Sequence, residues 1–157
     1  MRSEAEVVQA IDKHADMVLR LCSVYLKNRA DAEDVFQTVF LKYALSDLDF
    51  AGDEHEKAWL IRVTANACKD LLKNFFRRNT VSLETVGEKS WELSEEHLTI
   101  HQAVHTLPKN YREVIYLHYY EGYTAVEIAG ILKRNPNTVY THLRKGKELL
   151  REALDNG

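Results

Sequence analysis

Proline occurs twice in these 157 residues, glycine six times and cysteine twice. So little turn chemistry argues against a sandwich or barrel of many short strands. Cys22 and Cys68 lie far apart in sequence with no CxxC spacing, which predicts reduced, buried thiols rather than a redox or metal motif. No apolar run approaches the ~20 residues that a membrane span requires. The N-terminal Met1-Arg2-Ser3-Glu4 lacks the apolar stretch of a signal peptide, so a cytoplasmic location is expected. There is no phosphate-cradling glycine loop, no metal-ligand cluster and no carboxylate pair in an evident cleft. An enzyme is therefore disfavoured and no cofactor is expected.

The net charge of −3 conceals a segregation of sign. Residues 29–60 carry three basic groups (Arg29, Lys42, Lys57) against eight acids, whereas 61–78 carry five against Asp70 alone. Residues 79–106 are acidic again, and 133–151 hold six basic groups against Glu148. Alternating blocks of this kind suit separate surfaces for separate partners.

Hydrophobic spacing is helical throughout. Val7, Ile11, Ala15, Val18, Cys22 and Leu26 mark a helix over about 4–27. Asp31 is a candidate N-cap for a second helix, with Val35, Phe36, Val39, Phe40 and Tyr43 on its apolar face. The acidic stretch Ser46–Glu56, with Gly52, reads as a loop. A third helix over about 56–77 turns Leu60, Val63, Ala67, Leu71 and Phe75 inward. Residues 79–93 are polar and without period, a linker. The fold class expected is all-α: two small helical domains, 1–78 and 94–157, joined by a flexible linker.

Two helical blocks carry chemistry. At 100° per residue, Arg62, Asn66, Lys69, Lys73 and Arg77 fall within about 80° of arc, opposite the apolar face. A cationic stripe tracks phosphates, an embedded Asn hydrogen-bonds a base edge, and nearby rings (Trp59, Phe75, Phe76) stack on unpaired bases. The alternative is a solvated helix face over an ordinary core. In the second block, Thr124-x-x-Glu127 matches a capping box, and Asn135-Pro136 matches an N-cap followed by proline at the first helical position. A turn at 133–136 between them makes a helix-turn-helix. Asn137, Thr141 and Arg144, flanked by Thr138, Tyr140 and Lys145, are candidates for base contact, and Lys147 and Arg151 for phosphates. The alternative is a hairpin that merely packs.

Asp31-Ala32-Glu33-Asp34-Val35-Phe36-Gln37 through Phe40 resembles region 2.2 of bacterial RNA polymerase sigma factors, in the extracytoplasmic-function group of the sigma-70 family. Trp59-Leu60 through Asn66, with Asp70 and Arg77-Arg78, resembles regions 2.3 and 2.4. Leu107-Pro108, Arg112, Tyr119, Glu121-Gly122, Glu127-Ile128-Ala129 and Thr138-Val139 resemble region 4.

The resemblance implies that Asp34, Gln37 and Phe40 contact core polymerase at the β′ clamp helices, with the second domain on the β flap. It implies that Trp59 and Asn66 serve the −10 element, that the 46–56 loop closes over a flipped base, and that Arg62, Lys69, Lys73, Arg77 and Arg78 hold the promoter backbone. Asn137, Thr138, Tyr140, Thr141, Arg144, Lys145 and Lys147 would read the −35 element. An anti-sigma partner is implied as well. Thr38 stands where the family usually has Glu, which bears on the detail of core contact, and Asn137 stands at a common Gly. Tyr140 and His142 replace positions that are often basic, so the family's −35 sequence does not transfer. The competing reading is a stand-alone helix-turn-helix regulator that dimerises on a palindrome. His97, His101 and His105 share a helix face at i, i+4, i+8, but no fourth ligand accompanies them and no metal site is expected.

Overall fold

The computed structural model describes residues 1–78 and 102–156, and all regular structure among them is helical. The linker expected at 79–93 lies outside the described residues. The chain divides into two compact units.

The first unit holds α1 (Glu4–Tyr25), α2 (Arg29–Leu45) and α3 (Asp53–Arg78). Ser3 caps α1 by accepting the Glu6 amide at 3.2 Å. The start of α2 differs from the sequence expectation. Asn28, not Asp31, is the N-cap: its side-chain oxygen accepts the Asp31 amide at 2.7 Å, and its amide donates back to the Asp31 carboxylate at 2.8 Å. Satisfying the orphan amide one turn earlier lets Arg29 and Ala30 join the helix. The loop is likewise shorter than expected. Glu56 N–H reaches Gly52 O at 3.1 Å, and Asp53, Glu54 and Glu56 sit where the helix dipole favours acids, so α3 begins at Asp53.

Val18, Leu21, Val39, Leu60 and Ile61 are fully buried where the three helices meet. Each contributes about 1.5–3 kcal/mol of apolar burial. Of the α3 residues expected inside, Leu60 and Ala67 are buried, Val63 and Leu71 are half-buried, and Phe75 is 38 % exposed. Ile61, Thr64, Ala65 and Cys68 complete the buried face instead. Thr64 is tolerated there because its hydroxyl donates to Leu60 O at 2.7 Å. Cys22 and Cys68 are free, buried and hydrogen-bonded to each other, and that bond together with burial pushes the Cys68 thiol far above its usual range.

In the second unit, residues 102–105 are helical and Pro108 precedes α4 (Lys109–Ile115). A π-helical turn follows over Tyr116–Tyr120, closed by Glu121 N–H on Tyr116 O at 3.2 Å, and Gly122 takes φ 82°. Next come α5 (Ala125–Leu132) and α6 (Pro136–Asn156). The capping box forms as expected: Glu127 N–H to Thr124 Oγ1 at 3.2 Å, and Thr124 N–H to Glu127 Oε1 at 2.9 Å. Asn135 accepts the Asn137 amide at 2.8 Å ahead of Pro136. The core is Leu107, Val114, Ile115, Leu117, Ile128 and Val139. Gly146 lets α6 approach α4 closely: a Cβ there would stand 2.9 Å from Ile115 Cγ1 and 3.3 Å from Tyr111 Cβ.

Lys133 ends α5 at φ 54°, a left-handed conformation that costs an L-residue about 1–2 kcal/mol. Lys133→Gly is expected to stabilise this unit by about 1 kcal/mol. The measurement is a higher urea midpoint at unchanged m-value; an unchanged or lower midpoint refutes it.

Candidate nucleic-acid interface

Along α3, Asn66 and Lys73 are exposed and Arg62 and Lys69 are half-buried, all on the side away from Leu60, Thr64 and Cys68. The ammonium of Lys69 lies 5.9 Å from the centre of the Tyr25 ring. Arg77 and Arg78 continue the helix, but their side chains, like that of Phe76, lie outside the described residues. Phase places Phe75 off this stripe: it lines a groove of about 450 Å³ between α2 and α3, with Asp34, Thr38, Asp70 and Leu71. Phe75 is therefore not the inward core residue that the sequence suggested.

Trp59 is half-buried. Its ring packs 5.6 Å from Phe50 and 6.2 Å from Tyr43, and Phe50 meets His55 edge-on at 5.2 Å. These contacts seat the 46–52 loop against the start of α3. Beneath the rings, Glu56 joins all three helices: it faces His14 Nε2 at 3.1 Å and accepts from the Tyr43 hydroxyl at 3.1 Å. Burial first, and then the hydrogen bond to Glu56, push the Tyr43 phenol above its ordinary value, so it remains a donor.

On α2, Asp34 and Gln37 are exposed, whereas Phe40 is 5 % exposed and belongs to the core. Phe40 is about 100° out of phase with the outward face. The outward face is extended by Leu41 and Leu45, both near 60 % exposed. Sequence periodicity alone did not single these two out.

In the second unit, Asn137, Thr138, Tyr140, Arg144, Lys145, Lys147 and Arg151 are exposed on α6, and Thr141 is half-buried, with its hydroxyl donating to Asn137 O at 3.0 Å. Val139 and Gly146 hold the opposite face in the core. Arg134, counted above among the basic groups of this block, turns inward to an ion pair with Glu113, whose side chain is fully buried. Glu113 follows Arg112 on α4, and nothing in the sequence marked it as the partner of Arg134. His105 accepts from Arg112 at 3.1 Å, and His97 and His101 lie outside the described residues.

The family model described as Sigma-70 region 2 matches residues 10–79, and that described as Sigma-70, region 4 matches 97–150. RNA polymerase sigma factor SigV of Bacillus subtilis is 30 % identical over 155 residues, covering 97 % of this chain and 93 % of SigV. The chain belongs to the sigma-70 family of RNA polymerase sigma factors. SigW of the same organism, an ECF sigma factor, is 28 % identical, covering 92 % of this chain and 86 % of SigW. Within the family this sigma factor falls in the extracytoplasmic-function group. Its fold matches that of Bartonella quintana RpoE, solved with the anti-sigma factor NepR, at a TM-score of 0.78 and 19 % identity over 96 % of this chain and 97 % of that one. It also matches CnrH, solved with the cytosolic domain of CnrY, at 0.70 and 22 % over 98 % and 90 %. Sigma factors are non-catalytic initiation factors. Among the described residues of this one, no helix is long and apolar enough to cross a membrane.

His142 of the sigma factor lies on α6 beside the Tyr111 ring, 5.3 Å away and nearly edge-on. Burial first, then the charges of Arg134 and Lys145, hold its pKa below the ordinary 6.5. The unfolded chain therefore takes up this proton before the folded one does. The stability that neutral His142 contributes is present above 6.5 and lost as pH falls through the folded value. A urea-midpoint series over pH should decline as pH falls below 6.5, and His142→Gln should flatten part of the decline. A parallel decline in both proteins would exclude the assignment.

Proposed function

We propose that the two units divide promoter recognition between them. The outward face of α2, with Asp34, Gln37, Leu41 and Leu45, docks on the clamp helices of the polymerase β′ subunit, and the second unit rests on the β flap. The 46–52 loop and Asn66 hold an unpaired −10 base, while Arg62, Lys69, Lys73, Arg77 and Arg78 follow the adjoining phosphates. From α6, Asn137, Tyr140, Thr141 and Arg144 read the −35 duplex, with Thr138 and Lys145 flanking and Lys147 and Arg151 on phosphates. The observation that carries this reading is the order of the two matched regions, 10–79 then 97–150, in one chain. Exposed leucines on α2 support it, because a soluble domain seldom leaves such side chains clustered without a partner.

No bond is made or broken in this activity. Opening is driven by binding energy to unpaired bases, which offsets an unstacking cost of a few kcal/mol. Neither DNA surface is large, so promoter affinity becomes appreciable only once core polymerase fixes the spacing of the two units. RpoE was solved with the anti-sigma factor NepR, and a protein of that kind is the regulator proposed for this chain. In-vitro transcription with core polymerase over a random promoter library tests the reading. It predicts a two-element consensus and no duplex selection without core. A palindromic consensus bound by a free dimer would replace it with a stand-alone regulator.

A further inference from the structure

Arg2 is the second residue of the sequence, yet its side chain is only 11 % exposed. Its amide donates to Ala44 O at 2.8 Å, at the end of α2. Its guanidinium donates to Leu48 O inside the 46–52 loop. The same group stands 4.5 Å from the centre of the Tyr43 ring and 5.1 Å from that of Phe50, and it pairs with Glu6 at 3.3 Å. One side chain thus spans α1, the end of α2 and the loop, and covers the ring that itself packs on Trp59. A planar guanidinium suits this place because it stacks on aromatic faces while its edge donates hydrogen bonds; a lysine does only part of both. Loops with few buried contacts open readily, and this loop is short, acidic and has Leu48 half-exposed.

We infer that Arg2 is a positioning residue that straps the 46–52 loop, so that Phe50 and its neighbours present a pre-formed seat to the base released at −10. This rests on the proposal that the loop captures that base. Arg2 touches no DNA in this scheme. It removes the ordering that the loop would otherwise undergo on binding.

The test uses the full chain, Arg2→Ala and Arg2→Lys, assembled with core polymerase on a promoter recovered from the library and carrying 2-aminopurine in the −10 element. In Arg2→Ala, amides of residues 44–52 should exchange at least about tenfold faster, with α1 and α3 protection unchanged. Promoter opening should slow about tenfold and discrimination at the captured base should narrow, at undiminished affinity for core. Arg2→Lys should fall between. Native loop protection, or native opening and discrimination, in Arg2→Ala overturns the inference. So does an equal loss of core affinity, which would mark a general role in folding. Phe50→Ala separates the two layers: if it leaves discrimination intact, the base-capture reading fails and takes the strap with it. A defect there alongside native Arg2→Ala removes the strap alone.

Discussion

Arg134→Met is expected to leave the second unit about half unfolded at room temperature. Its guanidinium meets the carboxylate of Glu113, whose side chain has no exposure to water. Removing one partner of a buried ion pair costs about 3–5 kcal/mol, because the remaining charge has lost both its hydration and its counter-ion. A unit of this size holds a net stability of about 3–5 kcal/mol, so the two quantities nearly cancel. Far-UV circular dichroism should show an early transition that the first unit does not share, and −35 duplex binding by the holoenzyme should disappear with it. The double variant Glu113→Met, Arg134→Met should recover much of the loss, because apolar side chains of similar volume need no counter-ion. Equal destabilisation in the single and double variants would show that the pair does not couple.

Asn66→Ala is expected to slow promoter opening by about 5- to 150-fold, the equivalent of the 1–3 kcal/mol carried by a good amide-to-base contact. Asn66 is exposed on the outer face of α3, contributes nothing to the core, and stands among the cations of the stripe. The fold should therefore be untouched, with an unaltered melting curve and unaltered affinity for core polymerase. Single-strand reactivity at −10, followed with permanganate, reads the effect. The loss should persist on a template whose −10 segment is already unpaired, because the contact is with a released base rather than with the duplex. On a promoter changed at the captured position, the substitution should add no further defect. A uniform loss on every promoter would instead make Asn66 a backbone contact.

What the chain disclosed before its structure was mostly what periodicity and capping chemistry encode. The Thr124–Glu127 box and the Asn135-Pro136 start are local devices, fixed by residues within four positions of one another, and both form as read. Asp31 misled because Asn28 offers an equally good oxygen one turn earlier, and local propensity does not rank the two. Phe40 was read on the apolar face of α2 and is buried there. Phe75 misled because it sits near the end of α3, where the helix lying opposite, not periodicity, decides how far a ring is covered. Arg134 was counted only as part of the basic block 133–151, because its partner, Glu113, is distant in sequence. Leu41 and Leu45 went unremarked since an apolar residue is assumed to be inside until the packing shows otherwise.

The close approach at Gly146 has a consequence for how such proteins diversify. The bare backbone there, with Val139 beside it, sets the tilt of α6 from one side only. Asn137, Tyr140 and Arg144 project from the other side and bear none of the packing. On the proposed reading of the −35 duplex by these residues, mutation there rewrites which genes this protein switches on while the scaffold beneath stays the same. A lineage gains new regulatory circuits without having to solve the folding problem again.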